Sequence, residues 1–214
     1  MIHTGEEKKV NAASYNANVS FYEKKFRQTF EEYSQPDLER FLSELKGSRV
    51  LDAGCGPGIY LEFFREKGLD ALGIDLSDAF LARCAEKGLN VRKMDMENPL
   101  LYPYSFDGIW CMSLVHTPRE RISALAKTWA KLLKPNGLLF ISAKKGSGEG
   151  YEPSETGDNT KRWFTYFEEG ELEKYFSPYF DVLHSYTRTL GTREWVVYFF
   201  RVKSGALKTM FRNF

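Results

Sequence analysis

The stretch Val50-Leu51-Asp52-Ala53-Gly54-Cys55-Gly56-Pro57-Gly58 restricts what this chain can become more than any other part of it. Residues 49–53 read as a buried strand. Three glycines then turn the chain sharply, and a helix opens near Ile59. Glycine admits positive φ and lets a ligand approach the backbone closely. A strand, a glycine turn and a helix N-terminus therefore make a cradle for a mononucleotide-like ligand. Asp52 is the informative residue. Its carboxylate would repel a pyrophosphate on the helix N-terminus, and it suits a ligand with positive charge, such as an ammonium or a sulfonium.

Upstream, Tyr15, Val19, Tyr22, Phe26 and Phe30 recur at spacings of three and four, which predicts one amphipathic helix over 11–33 with an aromatic stripe. Residues 1–10 are polar and expected to fray. Gln35-Pro36 should break the helix, with Pro36 opening another over 37–45. Downstream come a helix stopped by Gly68, a strand over 71–75, a helix over 78–87 capped by Ser77 and stopped by Gly88, and a strand over 90–94. A fourth strand spans 106–112, Pro118 opens a helix over 119–133, residues 134–137 form a turn, and a fifth strand spans 138–142. Residues 143–160 are rich in Gly, Ser and Glu without a period, so a long functional loop is expected. A short helix over 169–176 and two alternating strands, 180–186 and 195–202, joined by a turn near Gly191, complete the pattern. A mildly basic tail, 204–214, follows.

Strands alternating with helices predict an α/β fold. The expectation is a doubly wound, Rossmann-like seven-stranded sheet with helices on both faces and the last strand antiparallel. The ligand belongs at the C-terminal ends of the strands, where Asp52, Asp75, Asp95 and Met112 fall. Asp75 lies about 20 residues beyond the glycine turn, where an acid can accept the hydroxyls of a ribose. At 214 residues the chain is expected to be one domain: a helical lid over 1–46, a cofactor-binding core over 47–142, a substrate loop over 143–168, and a helix with the closing hairpin over 169–214.

Composition removes several function classes. A net charge of +1 gives no global drive toward nucleic acid or an anionic membrane. Cys55, Cys84 and Cys111 are scattered, with no CxxC pair, so neither a disulfide framework nor a metal site is expected. No apolar run is long enough to span a bilayer, and the first residues lack a signal-like apolar region. The expectation is a reduced cytoplasmic protein without membrane contact, a monomer or weak homodimer, with a small-molecule partner.

The layout resembles the class I S-adenosylmethionine-dependent methyltransferases, of the small stand-alone type 11/25 kind. The resemblance is carried by the 50–58 stretch, Gly73-Ile74-Asp75-Leu76-Ser77, Asp95-Met96, the segment from Phe106-Asp107 through Leu114-Val115-His116, and Leu132-Leu133-Lys134-Pro135-Asn136-Gly137. It implies the cofactor S-adenosyl-L-methionine. The backbone of Gly54, Gly56 and Gly58 would pack on its methionine part, with Asp52 nearby. Asp75, beside Leu76, would hold the ribose hydroxyls, Asp95 and Met96 the adenine, and Met112 the thioether. Tyr15 and Tyr22 would close over it.

Other residues read two ways. Asp52 and Asp75 also suit turn chemistry, and Asp95 also suits a strand end. Cys111 reads as a buried inert thiol rather than a nucleophile. His116 reads as a general base toward the acceptor or as a donor that holds its loop. Lys144, Arg162 and Tyr166 are candidate acceptor residues. Lys144, Lys145, Lys161 and Arg162 suggest a basic rim that Glu149, Glu152, Glu155 and Asp158 dilute, and the aromatic run Trp163–Phe167 reads as pocket wall or core. The leading function is methyl transfer to a small molecule by in-line displacement. The alternatives are a tRNA wobble-uridine (carboxymethyl) methyltransferase, which would call for a continuous basic surface, and a non-catalytic cofactor-binding partner protein. Asp52 and the closing hairpin disfavour a nicotinamide oxidoreductase.

Overall fold

The computed structural model describes residues 5–204. Strand β1 (Arg49–Ala53) starts at the exposed Arg49, and its last four residues, apolar apart from Asp52, are buried, as befits a central strand covered from two sides. Strands β2 (Asp70–Asp75) and β4 (Phe106–Cys111) flank it in parallel, with Asp52 in register with Gly73 on one side and Trp110 on the other. Strand β3 (Val91–Lys93) adds outside β2, and β5 (Leu133–Lys144) outside β4. The hairpin of β8 (Phe180–Leu190) and β9 (Arg193–Val202) completes the sheet, with β9 antiparallel between β5 and β8. The order β3-β2-β1-β4-β5-β9-β8 is the predicted seven-stranded, doubly wound sheet with its last strand antiparallel. The order reverses between β1 and β4, which places a crevice beyond the end of β1.

Alternation along the strands sorts the core into two layers. Val50, Trp110, Phe140 and Phe199 face α3 (Gln35–Glu44) and α4 (Ile59–Glu66), where Phe41, Phe63 and Phe64 pack on them. Leu51, Ile109, Ile141 and Phe200 face α6 (Ile122–Leu132) and α7 (Glu171–Phe176), meeting Leu125, Trp129 and Phe176. Helix α5 (Asp78–Glu86) follows β2 and is capped as predicted, with Ser77 Oγ accepting from the Phe80 N–H at 3.1 Å. No helix among the described residues is long and apolar enough to cross a membrane.

Five expectations are corrected. The helix predicted over 11–33 starts earlier and is broken: α1 (Glu6–Ala17) ends where Asn18 takes φ −135° and ψ 34°, and α2 (Val19–Thr29) starts afresh. Ion pairs from Glu7 and Lys8 anchor the start of α1, so the described part of the 1–10 segment is ordered. Pro36 does not interrupt the chain, because a π-turn over Phe30–Ser34 leads directly into α3 and leaves Pro36 in its first turn, where no N–H is needed. The loop expected over 143–160 is largely a hairpin: β6 (Glu149–Pro153) pairs antiparallel with β7 (Lys161–Thr165), bringing Tyr151 beside Trp163. β5 also starts at Leu133, so the predicted turn at 134–137 is an irregular part of that strand. The tail 205–214 lies outside the described residues.

Candidate functional site

The C-terminal ends of β1, β2 and β4 open into a cavity of about 700 Å³ bounded above by α1 and α2. The glycine turn forms its floor. Gly54 has φ +76°, and a Cβ there would stand 2.0 Å from Ser113 Oγ, so no other residue fits while Ser113 donates to the Ala53 carbonyl at 2.8 Å. Asp52 is buried beneath the turn, and its Oδ2 has no hydrogen-bond partner. Burial holds this carboxyl well above the usual range, and the nearby Asp75 charge adds to the effect.

Asp75 ends β2 with both oxygens facing backbone donors: Oδ2 accepts from the Gly56 N–H at 2.9 Å and Oδ1 from the Ser77 N–H at 2.8 Å. Burial raises its pKa against the pull of those amides. Each oxygen keeps a further lone pair toward the cavity. Asp95 Oδ2 accepts from Lys8 Nζ of α1 at 2.6 Å, and Oδ1 from the Glu97 N–H at 3.0 Å. Leu76, Met96 and Met112 line the wall between them.

At the other end, four residues from three segments distant in sequence form one hydrogen-bonded chain. Arg162 Nη1 donates to Tyr15 Oη at 2.9 Å, and Tyr15 Oη lies 2.7 Å from His116 Nε2. His116 Nδ1 lies 2.8 Å from the Trp163 carbonyl oxygen. A carbonyl only accepts, so Nδ1 carries the hydrogen, and the Tyr15 hydroxyl donates to Nε2. Burial lowers the His116 pKa to about 3, reinforced by the charges of Arg162 and Lys144 and opposed by the Trp163 carbonyl. Burial pushes Tyr15 up to about 12 despite the Arg162 guanidinium. The ring is thus neutral with both nitrogens engaged, which supports the loop-holding role for His116 over the general base.

Of the residues singled out from sequence, Tyr15, Asp52, Gly54, Gly56, Asp75, Leu76, Asp95, Met96, Met112, His116, Lys144 and Arg162 line this one cavity. Three do not. Tyr22 is fully buried against the edge of Tyr15, with its hydroxyl 2.8 Å from Ser154 Oγ. Gly58 serves packing, since a Cβ there would meet Leu89 Cδ1 at 2.5 Å. Tyr166 turns its hydroxyl to Glu152. Cys111 is buried outside the lining, its thiol pushed up to about 11 by burial. Sequence reading missed Lys8, Phe26, Tyr60, Ser113 and Trp195. Phe26 lay on the predicted aromatic stripe, while the others reach the site through contacts no local pattern encodes.

Comparison with known proteins agrees with this geometry. Residues 50–137 match the family model described as a methyltransferase domain. The chain is 34% identical over 116 residues to a ubiquinone biosynthesis O-methyltransferase of Methylococcus capsulatus, covering 51% of this chain and 48% of that protein. A counterpart from Idiomarina loihiensis is 33% identical over 113 residues, 49% of this chain and 46% of that protein. The chain thus spans about half the length of the curated relatives it matches. Among solved structures, the Burkholderia thailandensis 1,6-didemethyltoxoflavin-N1-methyltransferase with bound 1,6-didemethyltoxoflavin and S-adenosylhomocysteine superposes with a TM-score of 0.73 at 20% identity, over 95% of this chain and 92% of that one. A DhpI–SAH complex gives 0.75 at 17% identity, over 94% and 98%. Sheet order, switch point and motif order define a class I methyltransferase fold. The family match itself lies over residues 50–137, less than half of this chain.

Proposed function

We propose that this chain binds S-adenosyl-L-methionine and transfers its methyl group to a small-molecule acceptor. The observation that carries the reading is the floor of the cavity: the unpartnered buried Asp52 Oδ2 at the glycine turn, with Asp75 at the end of the neighbouring strand. An orphaned carboxylate oxygen in a cavity asks for a positively charged ligand group, and Asp75 has lone pairs for a diol. The residues present therefore fit this cofactor. When bound, it supplies a methyl group already activated on a sulfonium.

What the chain must add is alignment and a dry site. Asp52 and the Gly54–Gly56 backbone would hold the methionine end, and Asp75 the ribose. Asp95 would face the adenine, sharing its Oδ2 with Lys8. Helices α1 and α2 close the roof as a lid, while the β6–β7 hairpin brings Arg162 and Phe164 to the acceptor end. His116 keeps Tyr15 in place and moves no proton. The buried free thiols of Cys55, Cys84 and Cys111 suit a reducing compartment, for which we take the cytoplasm. The named activity of the curated relatives and the small acceptor in the Burkholderia structure's title support a small molecule.

Calorimetry with S-adenosylhomocysteine tests the cofactor. Asp75→Ala should weaken binding about ten- to hundredfold by removing charge-assisted hydrogen bonds. Unchanged affinity would remove Asp75 from the site. A methyl-transfer screen with labelled cofactor against metabolite pools and bulk tRNA tests the acceptor, and label in tRNA alone would overturn the small-molecule reading.

A further inference from the structure

We propose that the cavity end formed by Lys144 and Arg162 is an anion site, and that the acceptor is a small organic acid whose oxyanion sits between these two cations. The inference rests on the methyltransferase reading of the same cavity. Both side chains line the cavity yet are only 6% and 4% exposed. Three other buried charged groups are paired: Glu7 with Arg121, Asp37 with Arg188, Asp107 with Lys134. Among the described residues Lys144 and Arg162 form no ion pair.

Aromatic rings hold the two heads instead. Lys144 Nζ stands 3.3 Å from the centre of the Phe164 ring. The Arg162 guanidinium lies 4.9 Å from the same ring centre, 4.8 Å from that of Tyr22 and 5.1 Å from that of Tyr15. Ring faces offset part of the cost of burying a cation, and less of it than a carboxylate does. Arg162 Nη1 is taken by Tyr15, and its buried Nε has no hydrogen-bond partner. The acids whose fields reach Lys144 are engaged elsewhere: Glu152 by the Tyr166 hydroxyl and Glu155 by Lys25. Burial and the charges of Arg193 and Arg162 bring the Lys144 pKa down to about 7, the mark of a cation that lacks its counter-charge. Phe164, Trp195 and Tyr15 supply flat apolar walls for the body of the acid.

The test titrates the S-adenosylhomocysteine complex of the full chain with benzoate, its neutral isostere benzamide, and inorganic phosphate, read by intrinsic tryptophan fluorescence and calorimetry. Benzoate should bind at least about tenfold more tightly than benzamide. Arg162→Gln and Lys144→Met should each weaken benzoate by a similar factor and leave benzamide unchanged. Lys144→Met should also keep its affinity for S-adenosylhomocysteine, which separates lost anion binding from a disturbed lid. Phosphate binding as tightly as benzoate would assign a plain oxyanion site and overturn the organic-acid part. Equal affinity for benzoate and benzamide, no binding of either anion, or indifference to both substitutions would overturn the proposal. Failure of S-adenosylhomocysteine itself to bind would count against the methyltransferase reading. In that case the same titrations on the free protein decide the anion site alone.

Discussion

At the scale of single residues, the site separates groups that hold charge from groups that hold position. Asp52 is a buried carboxyl whose Oδ2 has no hydrogen-bond partner, and Lys144 and Arg162 are buried without an ion pair among the described residues, whereas both ring nitrogens of His116 are engaged. A His that stays neutral in the fold and takes up a proton when unfolded costs stability as pH falls below about 6.5, and that cost grows until the folded pKa near 3 is reached. The C2-proton resonance of His116, assigned by comparison with His116→Asn, should therefore stay flat between pH 5 and pH 8. The substituted protein should lose less stability than wild type on acidification over that range. A titration midpoint near pH 6 to 7 would restore His116 as a general base.

At the scale of elements, α1 and the β6–β7 hairpin pack on each other, and in the proposed reading they are two halves of one closure. Asn11 joins them most directly. Its Oδ1 accepts from the Trp163 N–H at 2.7 Å, and its Nδ2 donates to the Trp163 carbonyl at 3.4 Å. Asn16 ties α1 to the start of α5, accepting from Ser77 Oγ at 2.7 Å, and Lys8 ties it to Asp95 and Glu97. Asn11→Ala leaves a buried backbone donor unmet, at a cost of about 1 to 3 kcal/mol. That cost should fall on the closure rather than on the sheet. The expected result is faster cleavage near Asn18 in limited proteolysis and about tenfold weaker S-adenosylhomocysteine binding. An unaltered dissociation constant would mean that α1 is not a lid. These elements were also where sequence reading fell short. β6 carries a single aromatic, Tyr151, so its alternation was hidden until β7 was seen beside it. Asn18, with its side chain on the Ser14 carbonyl, ended a helix that the aromatic period carried straight through.

At the scale of the whole molecule, what could be read in the sequence was what neighbours along the chain determine. The strand of residues 49–53, the glycine turn and Asp75 lie within one β-α-β unit, so their chemistry and spacing pointed to the cavity end proposed for the cofactor. The proposed acceptor end joins Tyr15 to His116 and Arg162 across 101 and 147 residues. No period in the sequence expresses such a contact, and the hairpin that makes it looked like loop. Because the cavity draws on α1, α2, the sheet and the hairpin together, a ligand that fills it should stabilise them as one unit. Saturation with S-adenosylhomocysteine at about a hundred times its dissociation constant adds about 2.7 kcal/mol to stability, a rise of roughly 5 to 11 °C in melting temperature. Hydrogen exchange then shows where that stability goes. Amides of α1 and of the β6–β7 hairpin should slow together on binding, by a common factor, because Asn11 and the Arg162–Tyr15–His116 chain couple their opening. Protection confined to residues 54–58 and 75–77, with α1 and the hairpin unchanged, would show a rigid cofactor shelf and a roof that moves independently of it.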